Sequence, residues 1–284
     1  MDDATTQALG YPYSRTIYAH LLDILHRGGA RWVVFDFVFD TKRRAQDGSP
    51  LYPGEDETFA AALERHPNTT LAGQIPSSES DVGGVRMRTI SSSSSIAPLA
   101  EFLAHAPRWG AVQTKTETDG VARRYVAAWR ELDGTPRLSL AMRPLVDLGL
   151  ADSARFLDES PWNDPRGFRI RFFGGTGSFP THSLLSVIDD SSFETPSERE
   201  WGESLDLSDS LVLSGAFRGK IVLVGSSAML NQDLVQTAIS GNKSFPGVEL
   251  HAHAMGTWML RSALRDMPPW IWWSALVLLS WGAL

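Results

Sequence analysis

Apolar and polar positions recur along this chain with two different periods, and the changes of period mark its elements. From Ser14 to Arg27 the spacing is helical: Ile17, Leu21, Leu22, Ile24 and Leu25 share one broad face, and Gly28-Gly29 ends the pattern. Arg31 to Phe39 (Arg-Trp-Val-Val-Phe-Asp-Phe-Val-Phe) reads as a strand, and the Gly- and Pro-containing stretch from Lys42 to Gly54 as a loop. Glu55 to His66 is amphipathic through Phe59 and Leu63, and Thr69 to Ala72 is a short strand. Residues 73–95, with five consecutive serines from Ser91, are expected to form a mobile excursion.

Asp119-Gly120 suits a tight hairpin turn, so Gly110 to Lys115 and Val121 to Trp129 are expected to pair across it. A helix is predicted from Leu138 to Leu148, and Phe168 to Phe173 alternates as a half-buried strand does, up to Gly174-Gly175. Ile221 to Val224 is an uninterrupted apolar run bounded by Gly219 and Gly225, the mark of a strand buried on both faces. Pro246-Gly247 then opens a helix with Val248, Leu250 and Met255 on its apolar stripe, expected to run to Leu264. No internal repeat is visible. Strands alternating with helices at both ends and a hairpin between them predict a mixed α/β fold: a central mixed sheet flanked by helices, with a β-hairpin insertion.

The two ends add a membrane to this picture. After Asp266 no charged residue occurs, and Trp270, Trp272 and Trp273 cluster where aromatic side chains anchor a helix at the lipid interface. The 15 residues from Trp270 to Leu284 span only roughly 22 Å as a helix, short of the ~30 Å hydrocarbon core. Residues 268–284 are therefore expected to begin a transmembrane helix, and residues 1–266 to form the globular domain. Met1-Asp2-Asp3 carries no export signal or anchor of its own, so a truncated start is expected as well.

Charge and composition narrow the chemistry. The formal net charge is −7, which argues against a nucleic-acid binder, and all of it lies in one segment. Asp189 to Ser210 holds eight acids and one base, leaving 25 of each elsewhere; the segment reads as a solvated loop with a short helix. With no cysteine, disulfides, thiolate catalysis and Cys-based metal sites are excluded.

Several residues are candidates for a ligand site. Asp36 and Asp40, four apart along a strand and its continuation, share a face and can converge on one ligand or cation; the alternative is a strand-end aspartate capping the next loop. Ser226 and Ser227 follow the buried strand, where open α/β sheets bind ligands, and Asp233 lies just beyond. His251 sits near the start of the last helix. It cannot chelate one ion together with His253, because helical residues two apart point about 200° away from each other. Arg123 follows the hairpin turn as an anion ligand or an exposed strand charge. The phosphate-loop spacing and the Gly-x-Ser-x-Gly elbow are both missing, so no catalytic residue, cofactor or metal site is assigned.

Taken in order, these segments resemble the CHASE2 domain family over nearly the whole chain, residues 2–284. Ala4 to Arg15, with Gly10, Pro12 and Arg15, resembles its opening motif. Gly29-Ala30-Arg31 leading into Val34-Phe35-Asp36, Asp56 ahead of Phe59 and Leu63, and Asp119-Gly120-Val121-x-Arg123-Arg124 resemble its next three. Phe217-x-Gly-Lys-Ile-Val-Leu-Val-Gly-Ser-Ser-Ala, Asp233 and Pro246-Gly-Val-Glu-Leu-His-Ala resemble its closing motifs. The chain departs from the pattern at Ala238, where Pro often follows the threonine, and at His253, where Asn is usual; the strand expected ahead of Asp2 is missing.

The resemblance implies an extracytoplasmic ligand-sensing domain of a bacterial receptor in the inner membrane. Its partners would be a small-molecule or periplasmic ligand, the bilayer through the C-terminal helix, and a second copy in a homodimer. Its output would be a cytoplasmic adenylate or guanylate cyclase, histidine kinase or Ser/Thr kinase. The residues alone leave a second reading, a membrane-anchored metal-dependent hydrolase using Asp36, Asp40 and Asp233.

Overall fold

The computed structural model describes residues 1–75, 80–82, 85–87, 95–193, 195–201, 206–228, 233–241 and 245–266, together with 270, 271, 273, 274, 276 and 280. Most of the expected 73–95 excursion, part of the acidic segment and most of the terminal apolar run lie outside the described residues. Among the described residues no helix is long and apolar enough to cross a membrane.

Four strands form the central sheet in the order Ile221–Val224, Trp32–Val38, Thr69–Gly73, Trp109–Ala111. Every neighbour pair in it is parallel, which corrects the expectation of a mixed central sheet. Among the described strands antiparallel pairing lies outside it, in two-stranded contacts such as Ala128–Arg130 with Pro136–Leu138 and in a small three-stranded sheet where Leu234–Thr237 runs antiparallel to Phe245–Pro246 and parallel to Val121–Ala122. Parallel strands need long crossovers, and helices fill them here. Arg15–Arg27 leads into Trp32–Val38, Glu55–Arg65 connects that strand to Thr69–Gly73, and Gly247–Met259 follows Ile221–Val224.

The Trp32–Val38 strand is buried through its first five residues and sorts them by parity. Val33 and Phe35 face the helices Arg15–Arg27 and Glu55–Arg65 in one core, with Leu22, Phe59, Leu71 and Phe102. Trp32 and Val34 face the opposite layer, beside Ala72 and Leu140. Beyond them Leu250, Trp258, Tyr125 and Phe168 form a second large core. Burying each large side chain contributes roughly 1.5–3 kcal/mol, so both layers are needed to hold the sheet between them. Phe39, Phe59 and Phe102 pack tilted and edge-on at centroid distances of 5.0 and 5.1 Å, the geometry aromatic quadrupoles favour.

Two motif residues meet in this core. The Arg15 guanidinium, almost fully buried at the start of its helix, pairs with the Asp56 carboxylate and donates to Thr41 O at 2.6 Å. The Arg15 backbone N–H donates to Glu55 at 2.8 Å, and Glu55 is held in turn by Arg43. Ser14 caps the same helix, its hydroxyl accepting from Thr16 N.

Several predicted elements are shorter or differently partnered. Val121 to Trp129 is not one strand but three fragments. Val121–Ala122 pairs with Gln236-Thr237, Arg124–Tyr125 with Phe168–Arg169, and Ala128–Arg130 with Pro136–Leu138. Alternation alone cannot reveal a change of partner. Trp109–Ala111 joins the central sheet, so the Asp119-Gly120 turn is closed by the single Lys115↔Arg124 bridge and Glu117 N–H to Val121 O. The helix expected from Leu138 covers only Arg143–Asp147, because Pro144 has no amide hydrogen and is tolerated only in a first turn. The last long helix ends at Met259, five residues early: Arg261 takes a left-handed φ of 50° and Ser262 N–H caps Thr257 O. Leu264 then pairs back onto Arg169, so the helix does not run straight on toward Pro268.

Candidate functional site

Asp36 is placed by a break in the sheet. Phe35 pairs with Leu71 but Val38 pairs with Ala72, so Asp36 and Phe37 lie in a bulge at the C-terminal end of their strand. On the other side Phe35 pairs with Val224, which sets Asp36 level with Gly225. By parity Asp36 follows Val34, onto the layer that holds Gly247–Met259. That helix start comes close because Gly225 has no side chain: a Cβ there would lie 2.5 Å from Val248 Cβ.

His251, on the second turn of the helix, brings its Nε2 to 3.6 Å from Asp36 Oδ1, with both side chains 2% exposed. At 3.6 Å this is an electrostatic contact and not a hydrogen bond. The His251 Nδ1 is 2.6 Å from the Tyr125 hydroxyl, which also accepts Ala141 N–H at 3.2 Å. The phenol and Nδ1 share one hydrogen, donated by the hydroxyl or by the ring according to the tautomer, and that tautomer decides whether Nε2 turns an N–H or a lone pair toward Asp36. Asp36 Oδ2 is buried with no partner among the described residues. An unsatisfied buried carboxylate oxygen is costly and marks a site that is incomplete as it stands.

Burial sets the protonation of this cluster. It raises Asp36 to about 7. It lowers His251 to about 4, against the opposite pull of the Asp233 charge. It also raises the Tyr125 phenol. Asp233 is raised to about 6, by desolvation first and then by Asp36, with His251 acting the other way. Asp233 as a residue is exposed, but its carboxylate is turned inward over the helix start, where a Cβ on Gly247 would lie 2.5 Å from Oδ1. The Gly247 N–H donates to Asp233 O at 3.0 Å. Between about pH 4 and 7, then, a neutral acid and a neutral base face each other across 3.6 Å.

The other sequence candidates lie elsewhere. Asp40 is exposed beyond the strand end, whereas Asp36 is buried in the bulge, which separates their environments. Ser226 is buried and its hydroxyl accepts Ala228 N–H; Ser227 is exposed and bonds Met1 O through its N–H and hydroxyl. The Met1 ammonium donates to Gly225 O at 2.9 Å, so Met1 lies parallel beside this strand end. Arg123 is bound to Glu117 and Asp119 within the hairpin. His253 and Glu249 hold the preceding loop: His253 Nδ1 accepts Phe173 N–H, and Glu249 accepts Gly177 N–H. Among the described residues no group of three or more His, Cys, Asp or Glu side chains is arranged to hold a metal ion. Sequence reasoning found Asp36, Asp233 and His251 but missed Tyr125, whose only signal was its place directly after the Arg123-Arg124 pair.

No curated protein and no solved structure matches this chain. A family model does: that of the CHASE2 domain, over residues 1–284, the whole length. The motifs in order, a helix-flanked parallel sheet and a match over the whole length converge on one conclusion: the chain belongs to the CHASE2 domain family, whose members are extracytoplasmic sensory domains.

Proposed function

We propose that this chain is the ligand-sensing domain of a bacterial membrane-bound receptor, with residues 1–266 outside the cytoplasm. Its ligand state passes through the apolar segment after Asp266 to a cytoplasmic cyclase or kinase, in a homodimeric assembly. The observation that supports this most is the Asp36–His251 contact, with one buried carboxylate oxygen without a partner among the described residues, at the C-terminal end of a parallel sheet. Ligands bind open α/β sheets at that end. A ligand that donates to Asp36, or that ionises it by bringing positive charge, changes what holds the strand end to the Gly247–Met259 helix. Only such a differential interaction can shift a population of conformations.

The test uses the intact receptor carrying this domain, with cyclase or kinase output measured for the native protein and for His251→Gln. The expected result is altered basal output and a lost or shifted response, while circular dichroism reports a folded protein. Native output and response from the folded variant would sink the proposal.

A further inference from the structure

A separate cleft, which Asp36 does not line, lies where the chain leaves the domain. It encloses about 350 Å³ between the Arg124–Tyr125 and Phe168–Arg169 strands and residues 264–266. Arg124, Arg169 and Arg265 line it, against Asp164 and Asp266. Asp266 bridges two of the arginines, with Oδ2 on Arg124 Nη2 and Oδ1 on Arg169 Nε. Asp164 is taken up mainly by Arg166, at 2.9 Å, and stands 3.8 Å from Arg124. Arg265 forms no ion pair among the described residues. The cleft is lined by three guanidinium groups and two carboxylates. Arg124 is also held by Glu117 at 3.6 Å and by Gly167 O at 2.9 Å, and Asp266 is the side chain that pairs with both Arg124 and Arg169.

Guanidinium groups that converge on one carboxylate form a fork that also fits phosphate, which offers further oxygens at similar spacing and more charge. We propose that this cleft is a binding site for a phosphate group, for which the Asp266 carboxylate is the internal stand-in. Phosphate entering the cleft takes Arg124 and Arg169 from Asp266, recruits Arg265, and frees the chain at residue 266. The phosphate has two natural sources, a soluble phosphate compound or a lipid headgroup. Trp270 and Trp273, four and seven residues beyond Asp266, are 66% and 68% exposed, so apolar surface lies close by in sequence. The site stands independently of the Asp36 cluster, because its readout is binding to the isolated chain.

The experiment is titration of the full chain with inorganic phosphate by calorimetry, and in parallel with vesicles of phosphatidylglycerol or of phosphatidylcholine. Asp266→Asn removes the internal competitor and is expected to tighten phosphate binding about tenfold. Arg169→Gln and the exposed Arg265→Gln are expected to weaken it, the former by about tenfold or more, as loss of a charged hydrogen bond implies. Arg265→Gln keeps the test valid if Arg169→Gln fails to fold. Binding of free phosphate with this pattern identifies a soluble source. Binding of phosphatidylglycerol vesicles with the same pattern, and none of free phosphate, identifies a headgroup. Absence of both, vesicle binding indifferent to the arginine substitutions, or an Asp266→Asn chain no tighter than native would overturn the site.

Discussion

Replacing Asp36 with asparagine should stabilise this protein, and by an amount that depends on pH in a calculable way. The folded carboxyl is raised by burial from 3.8 to about 7. An acid raised on folding binds more protons folded than unfolded between those two values. Stability therefore falls as pH rises from about 4, and levels off above about 7. A shift of that size corresponds to about 4 kcal/mol, of which about 3 kcal/mol accrues between pH 5 and pH 8. Asparagine has the same shape and no charge, so the variant does not carry this loss. His251 has the opposite sign, since burial lowers it to about 4 and stability falls as pH drops below its ordinary value of 6.5. It is present in both proteins, however, and cancels in their difference. Asp233, raised in part by the Asp36 charge, relaxes in the variant and adds in the same direction. Thermal melts at fixed ionic strength should show the Asp36→Asn curve rising above the native one by about 6 °C more at pH 8 than at pH 5, at ~2 °C per kcal/mol for a chain of this size. Curves that stay parallel across that range would refute the assignment of a neutral, desolvated Asp36.

Two further substitutions probe how the site and its support are built. Gly247→Ala places a methyl 2.5 Å from Asp233 Oδ1 and should cost about 1–3 kcal/mol in denaturant unfolding; most of that should return when Asp233→Ala is added. Arg15→Met leaves Asp56 buried without its cation and should cost about 3–5 kcal/mol, whereas Arg15→Met with Asp56→Leu should recover much of it. An equal loss in the single and double variants would assign the damage to the methionine itself.

Much of the fold could be read from period and punctuation. The Arg15–Arg27 helix and the Trp32–Val38 strand were legible, because burial on known faces imposes a pattern on the residues themselves. The Ile221–Val224 strand was found too, but it lies at the sheet edge with three of its four residues half-buried and not buried on both faces as its apolar run suggested. The middle of the chain was not. Val121 to Trp129 is apolar enough for one strand, but its fragments pair with residues more than a hundred positions downstream and with a nearby hairpin alike. The parallel sense of the sheet also depends on such distant pairing. The end of the Gly247–Met259 helix was missed because Arg261, not glycine, supplies the left-handed turn. At the site, residue type identified Asp36, Asp233 and His251, while the bulge that separates Asp36 from Asp40 exists only in the register between two strands. Arg15 and Asp56 were each visible as motif residues, but nothing in their spacing of 41 residues announces an ion pair.

The left-handed turn at Arg261 decides what kind of motion can leave this domain. A helix continuous into the terminal apolar segment would act as a shaft, carrying rotation and axial displacement alike. Here the shaft stops at Met259, and the chain is fastened again at Leu264 and Asp266. The result is a pinned joint. In a receptor of the proposed kind, such a joint would pass a pull along the chain for as long as the pin holds, and little torque.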